Sequence, residues 1–131
     1  MVLELSLKEK SVLVTGGNRG IGLAIALAFA DEGANVAICG RDQAALATAK
    51  SAIEERGVKA HTIAADLFTA AGCEAAIKET ADTFGSFHVL VSNASTNIGG
   101  TLETLTDDQA IERVMGKTLA AMRLSRAALP H

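Results

Sequence analysis

A glycine-rich turn between two differently patterned segments restricts the fold more than any other feature of the chain. Residues 15–22 read Thr15-Gly16-Gly17-Asn18-Arg19-Gly20-Ile21-Gly22. Before the turn, residues 11–15 (Ser-Val-Leu-Val-Thr) form the short apolar run expected of a strand buried on both faces. After it, over residues 21–30, the pattern turns helical, and the spacing assigns Ile21, Ile25, Ala28 and Phe29 to one face. In such a strand–turn–helix, Gly16 permits the tight reversal, Gly20 lets backbone approach a diphosphate, and Gly22 allows close helix–strand packing. Amides at the helix start then project together with the helix dipole behind them, which suits a phosphate. A glycine loop that merely joins strand to helix is the alternative reading. The position directly after the first strand favours the nucleotide site.

The remaining sequence repeats the same alternation. Gly33 stands where the first helix should end, followed by a strand at 35–39 and a helix over 42–56 that Asp42 opens and Gly57 follows. A third strand is expected at 59–64, a loop at Asp66-Leu67, a helix over 69–84 ending at Gly85, and a fourth strand at 89–91. A long helix then runs from Thr106 towards Leu129, with Thr106 and Gln109 at capping-box spacing. Alternating strands and helices imply parallel pairing through right-handed crossovers. The expected fold is therefore α/β, a Rossmann-like doubly wound parallel sheet in order 3-2-1-4. With a single proline, Pro130, and no Ser/Gly-rich linker, residues 1–131 read as one domain.

Bulk properties narrow the function. The chain is 49% hydrophobic and carries a formal net charge of −3 with a pI near 5.6, which makes it globular and points away from nucleic acid as a partner. The N-terminus, with Glu4 inside its apolar stretch and no basic leader, does not read as a signal peptide, and no run of 18 apolar residues marks a membrane span. Cys39 and Cys73 lie in no metal-ligand spacing. Two isolated thiols suit a reducing cytoplasm, with one disulfide left open.

The motif Thr-Gly-xxx-Gly-Ile-Gly, together with a basic residue after the second strand, Asp66-Leu67 after the third and Ser92-Asn93-Ala94-Ser95 after the fourth, resembles the short-chain dehydrogenase/reductase family. The closing run from Arg113-Val114-Met115 to Leu129-Pro130 resembles the family's long helix, so the similarity covers essentially the whole chain. The resemblance implies a nicotinamide dinucleotide held by Gly16, Asn18, Arg19, Gly20, Ile21, Gly22, Arg41, Asp66, Leu67, Asn93 and Ala94. Asp66 would accept from the adenine amino group, and Asn93-Ala94 would line the adenosine ribose side. The family's usual Asn-Asn-Ala-Gly stretch is altered here at Ser92 and Ser95.

An NAD-binding member would carry an acid at the end of the second strand, accepting from the ribose 2′-hydroxyl. Here Gly40 stands in that place, with Arg41 next to it and Arg19 inside the turn. Two charge-assisted contacts to a 2′-phosphate, each about 1.5–3 kcal/mol, favour NADP(H). Asp42 reads as a helix cap instead.

The resemblance also implies a catalytic tyrosine, a lysine four residues beyond it, a serine and a helix asparagine, and the chain has no tyrosine at all. The position matching the asparagine is Thr118, and His61, His88 and His131 offer no substitute triad. The expectation is the NADP(H)-binding front part of a carbonyl/alcohol oxidoreductase, incomplete relative to the family after the fourth strand and long helix, and not catalytic alone. A homo-oligomer or a complementing chain is the expected protein partner. The alternative is a non-catalytic nucleotide-binding or assembly module that pairs with another chain.

Overall fold

Residues 3–95 and 99–131 are described by the computed structural model. Four strands alternate with helices: β1 (Ser11–Thr15), α1 (Gly20–Asp31), β2 (Asn35–Cys39), α2 (Gln43–Glu54), β3 (Ala60–Ile63), α3 (Ala70–Phe84) and β4 (Val89–Val91). A further helical stretch comprises α4 (Asp107–Val114), a π-helical turn (Met115–Leu119) and α5 (Ala120–Ala128). The sheet is wholly parallel in the order β3-β2-β1-β4, as the alternation predicts.

Register decides where a site can form. Thr15 pairs with Cys39, Cys39 with Ile63, and Val14 with Val91. The four strands therefore end nearly level. The glycine turn, Gly40-Arg41, Ala65-Asp66 and Asn93-Ala94 all leave the sheet at one edge, beyond the carboxyl ends of the strands, where ligands of open α/β sheets bind.

Side-chain alternation along the strands builds two cores. Val12, Val14, Val36 and Ile38 pack with Ala26, Ala30, Leu46, Ala49 and Ile53 of α1 and α2. Leu13, Ala37 and Cys39 point the other way, onto Cys73, Ala76, Ile77 and Ala81 of α3 and Ala120 and Leu124 of α5. Every residue of β1 is buried, as a central strand covered on both faces requires. β4, one of the two edge strands, is only half-buried.

The helix boundaries have local causes. Asp42 accepts from the amide of Ala45 at 3.1 Å and Thr69 from that of Gly72 at 3.0 Å. Thr106 and Gln109 form the reciprocal capping box, with Asp107 and Asp108 in the first turn. The first and third helices stop at Gly33 (φ 81°) and Gly85 (φ 75°), where left-handed backbone satisfies the last carbonyls.

Two expectations need correction. The buried face of α1 is Gly22, Ala26 and Ala30, whereas Ile21 is 75% exposed and Ala28 is exposed too. Nearly every residue of that helix is apolar, so hydrophobicity alone did not pick a face; small residues were chosen because the helix lies close on the sheet. The long final helix is also not uniform. It passes through one π turn around Gly116, a residue that contributes no side-chain packing and weakens the α-helix by about 1 kcal/mol.

Because Leu13 is fully buried in the middle of the central strand, Leu13→Ala should lower unfolding stability by about 2–5 kcal/mol in urea titrations, with little change in the slope.

Candidate nucleotide-binding site

At the carboxyl edge of the sheet lies an open cleft of about 310 Å³. Gly16, Asn18, Arg19, Ile21 and Gly22 of the turn form one wall, Gly40 and Arg41 after β2 a second, and Asp66 and Leu67 after β3 a third. Asn93, Ala94 and Ser95 close the side beneath β4. Of the residues predicted from the sequence, only Gly20 does not line the cleft. It opens α1 with φ 57°, and a side chain there would meet no neighbour, so its glycine answers to backbone conformation alone.

The turn is held by contacts that leave no room for side chains. Gly16 has φ 65°, and a Cβ on Gly22 would run into the Gly16 carbonyl oxygen and come within 2.5 Å of the Asn93 Nδ2. Gly22 thus lets the helix start fold back on the turn at the end of β1. A Cβ on Gly17 would fall 2.5 Å from the Ile38 Cγ2, so the second glycine serves the core beneath.

Asn93 lines the cleft and also holds the turn. Its Nδ2 donates to the carbonyls of Thr15 (3.1 Å) and Gly16 (3.3 Å), so its side chain braces the glycine turn. Thr15, which sequence reasoning left without a role, completes the brace. Its buried hydroxyl accepts from the amides of Asn93 and Ala94, both at 3.0 Å. A threonine directly after the aliphatic run Val12-Leu13-Val14 was the available signal. Ser95 does not adopt positive φ, so losing the family's glycine there imposes no strain.

The charged side chains that line the cleft are Arg19, Arg41 and Asp66. Arg19 and Arg41 are exposed, and neither has an ion-pair partner among the described residues. Asp42 is committed to its cap. The α1 N-terminus, with Arg19 in extended conformation as the N-cap residue, receives no side-chain cap and has no acid in its first turn. The positive helix end therefore faces the cleft without a protein anion to satisfy it. Asp66 accepts from the Phe68 amide at 3.0 Å through Oδ1, and its carbonyl accepts from Thr69. It both starts a turn and lines the cleft.

Sequence reasoning missed Cys39, Ala65, Phe68 and Gly116, which also line the cleft. Gly116 reaches it from the π turn, while Thr118, the position matched to the family's asparagine, is exposed and outside it. Both cysteines are free and buried. His88 Nδ1 accepts from the Ser11 amide and His61 Nε2 sits 2.7 Å from Glu79 Oε1, so both bond within the framework. Among the described residues no cluster of metal-ligating side chains occurs, and no helix is long and apolar enough to cross a membrane.

A level sheet edge, a glycine-rich turn and an uncapped helix start define a Rossmann-like parallel α/β half-fold, and comparison with known proteins gives its family. The model for short chain dehydrogenases matches residues 10–131, and the chain belongs to that family. The oxidoreductase YhxC of Bacillus subtilis (strain 168) is 35% identical over 128 residues, which are 95% of this chain and 45% of YhxC. A short chain dehydrogenase from Burkholderia cenocepacia J2315, solved in complex with NADP, is 36% identical with a TM-score of 0.90, covering 95% of this chain and 51% of that one. An NADH-dependent reductase responsible for alginate metabolism is 28% identical with a TM-score of 0.87, over 96% and 52%. The chain spans about half the length of the relatives it matches.

Burial pushes the Cys39 thiol up from 9.0 to about 11. A raised thiol pKa means that folding favours the protonated form. That contribution is complete below pH 9 and is lost as pH rises through 11. Urea stability should therefore fall over this window, by up to about 3 kcal/mol. Cys39→Ala should show a shallower alkaline limb; identical limbs would refute the assignment.

Proposed function

We propose that this chain is the NADP(H)-binding portion of a short-chain dehydrogenase/reductase acting on carbonyls and alcohols. One observation carries the cofactor choice. Gly40 removes the acid that would accept from a ribose 2′-hydroxyl, and Arg19 and Arg41 line the same cleft with no ion-pair partner among the described residues. NADP and NADH each occur among the similar structures, so the residues of this chain, not its relatives, favour the phosphorylated nucleotide.

The cleft fits such a ligand. Gly16 and Gly22 clear the approach to the turn, and the uncapped α1 N-terminus supplies amides and a positive dipole end for the diphosphate. Arg19 and Arg41 would hold the 2′-phosphate, Asp66 and Leu67 the adenine, and Asn18, Gly20, Ile21, Asn93 and Ala94 the remaining length of the adenosine half. When bound, the nicotinamide supplies or takes a hydride, and the chain's part is to orient the nucleotide and exclude water from its phosphates. Residues 1–131 act as one cofactor domain.

The sequence contains no tyrosine, and the family's acid–base chemistry calls for one, so we assign no catalytic residue to this chain. Buried free thiols agree with a cytoplasmic setting. A second reading, an assembly module that catalyses nothing, draws on the exposed apolar residues Ile111 and Val114 of α4 and Met122 of α5, together with the half-buried edge strand β4. A second copy or a complementing chain would cover them.

Calorimetric titration of the 131-residue chain with NADPH and with NADH separates the readings. We expect NADPH to bind at least tenfold more tightly, and Arg41→Asp to abolish that preference. A folded chain that binds neither nucleotide would leave the assembly module as the better account.

A further inference from the structure

Arg123 is a half-buried cation that makes no ion pair among the described residues. It stands on α5 beside Leu124, which is buried in the same core cluster as Cys73 and Ile77 of α3. Glu74 and Asp82 of α3 line the same groove as Arg123, yet neither takes its charge, and Asp82 is paired with Lys78. Instead the Arg123 Nη1 donates to the main-chain carbonyl of Phe68 at 3.0 Å, across 55 residues of chain. A charge-assisted bond is stronger than one between neutral groups, so this contact fixes the backbone it reaches.

That backbone is the wall of the cleft after β3, which Phe68 lines together with Asp66 and Leu67. The Phe68 amide donates to Asp66 Oδ1 at 3.0 Å, and Asp66 Oδ2 has no partner among the described residues. Phe68 is thus held at both its main-chain groups, by Arg123 through the carbonyl and by Asp66 through the amide. The neighbouring carbonyls are held from α3 and its cap: Asp66 accepts from the Thr69 hydroxyl and Leu67 from the Cys73 thiol. A Cβ on Gly72 would run into the Asp66 carbonyl oxygen, so the start of α3 is pressed onto this turn. Of these donors only Arg123 comes from beyond α3.

We propose that Arg123 is a positioning residue for the base end of the cleft: by holding the Phe68 carbonyl it keeps the Phe68 amide on Asp66 Oδ1 and leaves Oδ2 to accept from the ligand. This rests on the reading of Asp66 as the acceptor for the adenine amino group and extends it. An exposed aspartate loses conformational freedom when a ligand fixes it, and a carboxylate already bound by an amide has less to lose. Arg123 does not line the cleft; it lines the groove between α3 and α5. It therefore acts on the nucleotide only through Phe68 and Asp66. Affinity at the base end then depends on how α5 is seated.

Two readouts test this, one with nucleotide and one without. Arg123→Met keeps the stem of the side chain and removes the donor. It should weaken NADPH by about two- to tenfold, the worth of one hydrogen bond. The analogue whose base carries a 6-oxo group in place of the 6-amino group should weaken by less than about twofold, because only the amino group uses Asp66. Added to Asp66→Ala, Arg123→Met should have no further effect on NADPH. In the free protein, hydrogen exchange of the Phe68 amide should quicken by about two- to tenfold in Arg123→Met. The Ala45 amide, held by Asp42 at the start of α2, should keep its rate. Equal weakening of both nucleotides, or an unchanged Phe68 amide, would overturn the role of Arg123. A chain that binds neither nucleotide, or an Asp66→Ala variant that weakens both alike, would overturn the cofactor reading instead. The Phe68 exchange then decides by itself whether Arg123 holds the turn.

Discussion

The approach of α1 to the glycine turn is the contact on which the rest of the site depends. Gly22 lies so close to the Gly16 carbonyl that no side chain fits between them, and the Asn93 amide is drawn into the same knot. This closeness turns the helix start towards the cleft and leaves its N-terminus uncapped. A cap from serine or aspartate would satisfy the same amides and fill the place of a phosphate. The helix thus forgoes a stabilising local contact, of the kind that α2, α3 and α4 all retain.

Buried polar groups support this arrangement from below. The Thr15 hydroxyl, fully enclosed at the end of the central strand, receives two amides from the segment after β4. It ties the outgoing ends of β1 and β4, two strands far apart in sequence, at one level. Inside a sheet edge of low polarity such bonds are stronger than in water, and an unpaired member would be costly. The two thiols extend the scaffold on the other side: Cys73 donates to the Leu67 carbonyl at 3.3 Å, next to Asp66. Burial raises the pKa of both thiols and keeps them protonated donors at neutral pH.

Legibility in the sequence followed the range of the forces involved. The strands of the sheet, the caps at Asp42 and Thr106, and the helix stops at Gly33 and Gly85 were readable because each is decided within a few residues. The buried face of α1 was not. Its run of alanine, leucine and isoleucine offers no polar side, and the packing distance to the sheet selected Gly22, Ala26 and Ala30. Most residues that line the cleft stand in the glycine motif or directly after strands, and motif reasoning found them. Those it missed, such as Phe68 and Gly116, reach the cleft from segments whose positions depend on helix packing.

The sequence by itself determined the alternation of strand and helix, the parallel sheet and the point at which a phosphate could be received. Periodicity, caps and glycines act locally, so those properties survive in the order of residues alone. Tertiary structure decided what each of the special residues does. Only the folded chain shows Asn93 bracing the turn, Gly20 standing outside the cleft, and Arg123 of α5 holding the Phe68 carbonyl. Such roles are set by distances between residues far apart in the chain, as with Phe68 and Arg123. Those distances come from strand register and helix packing, and no local pattern records them.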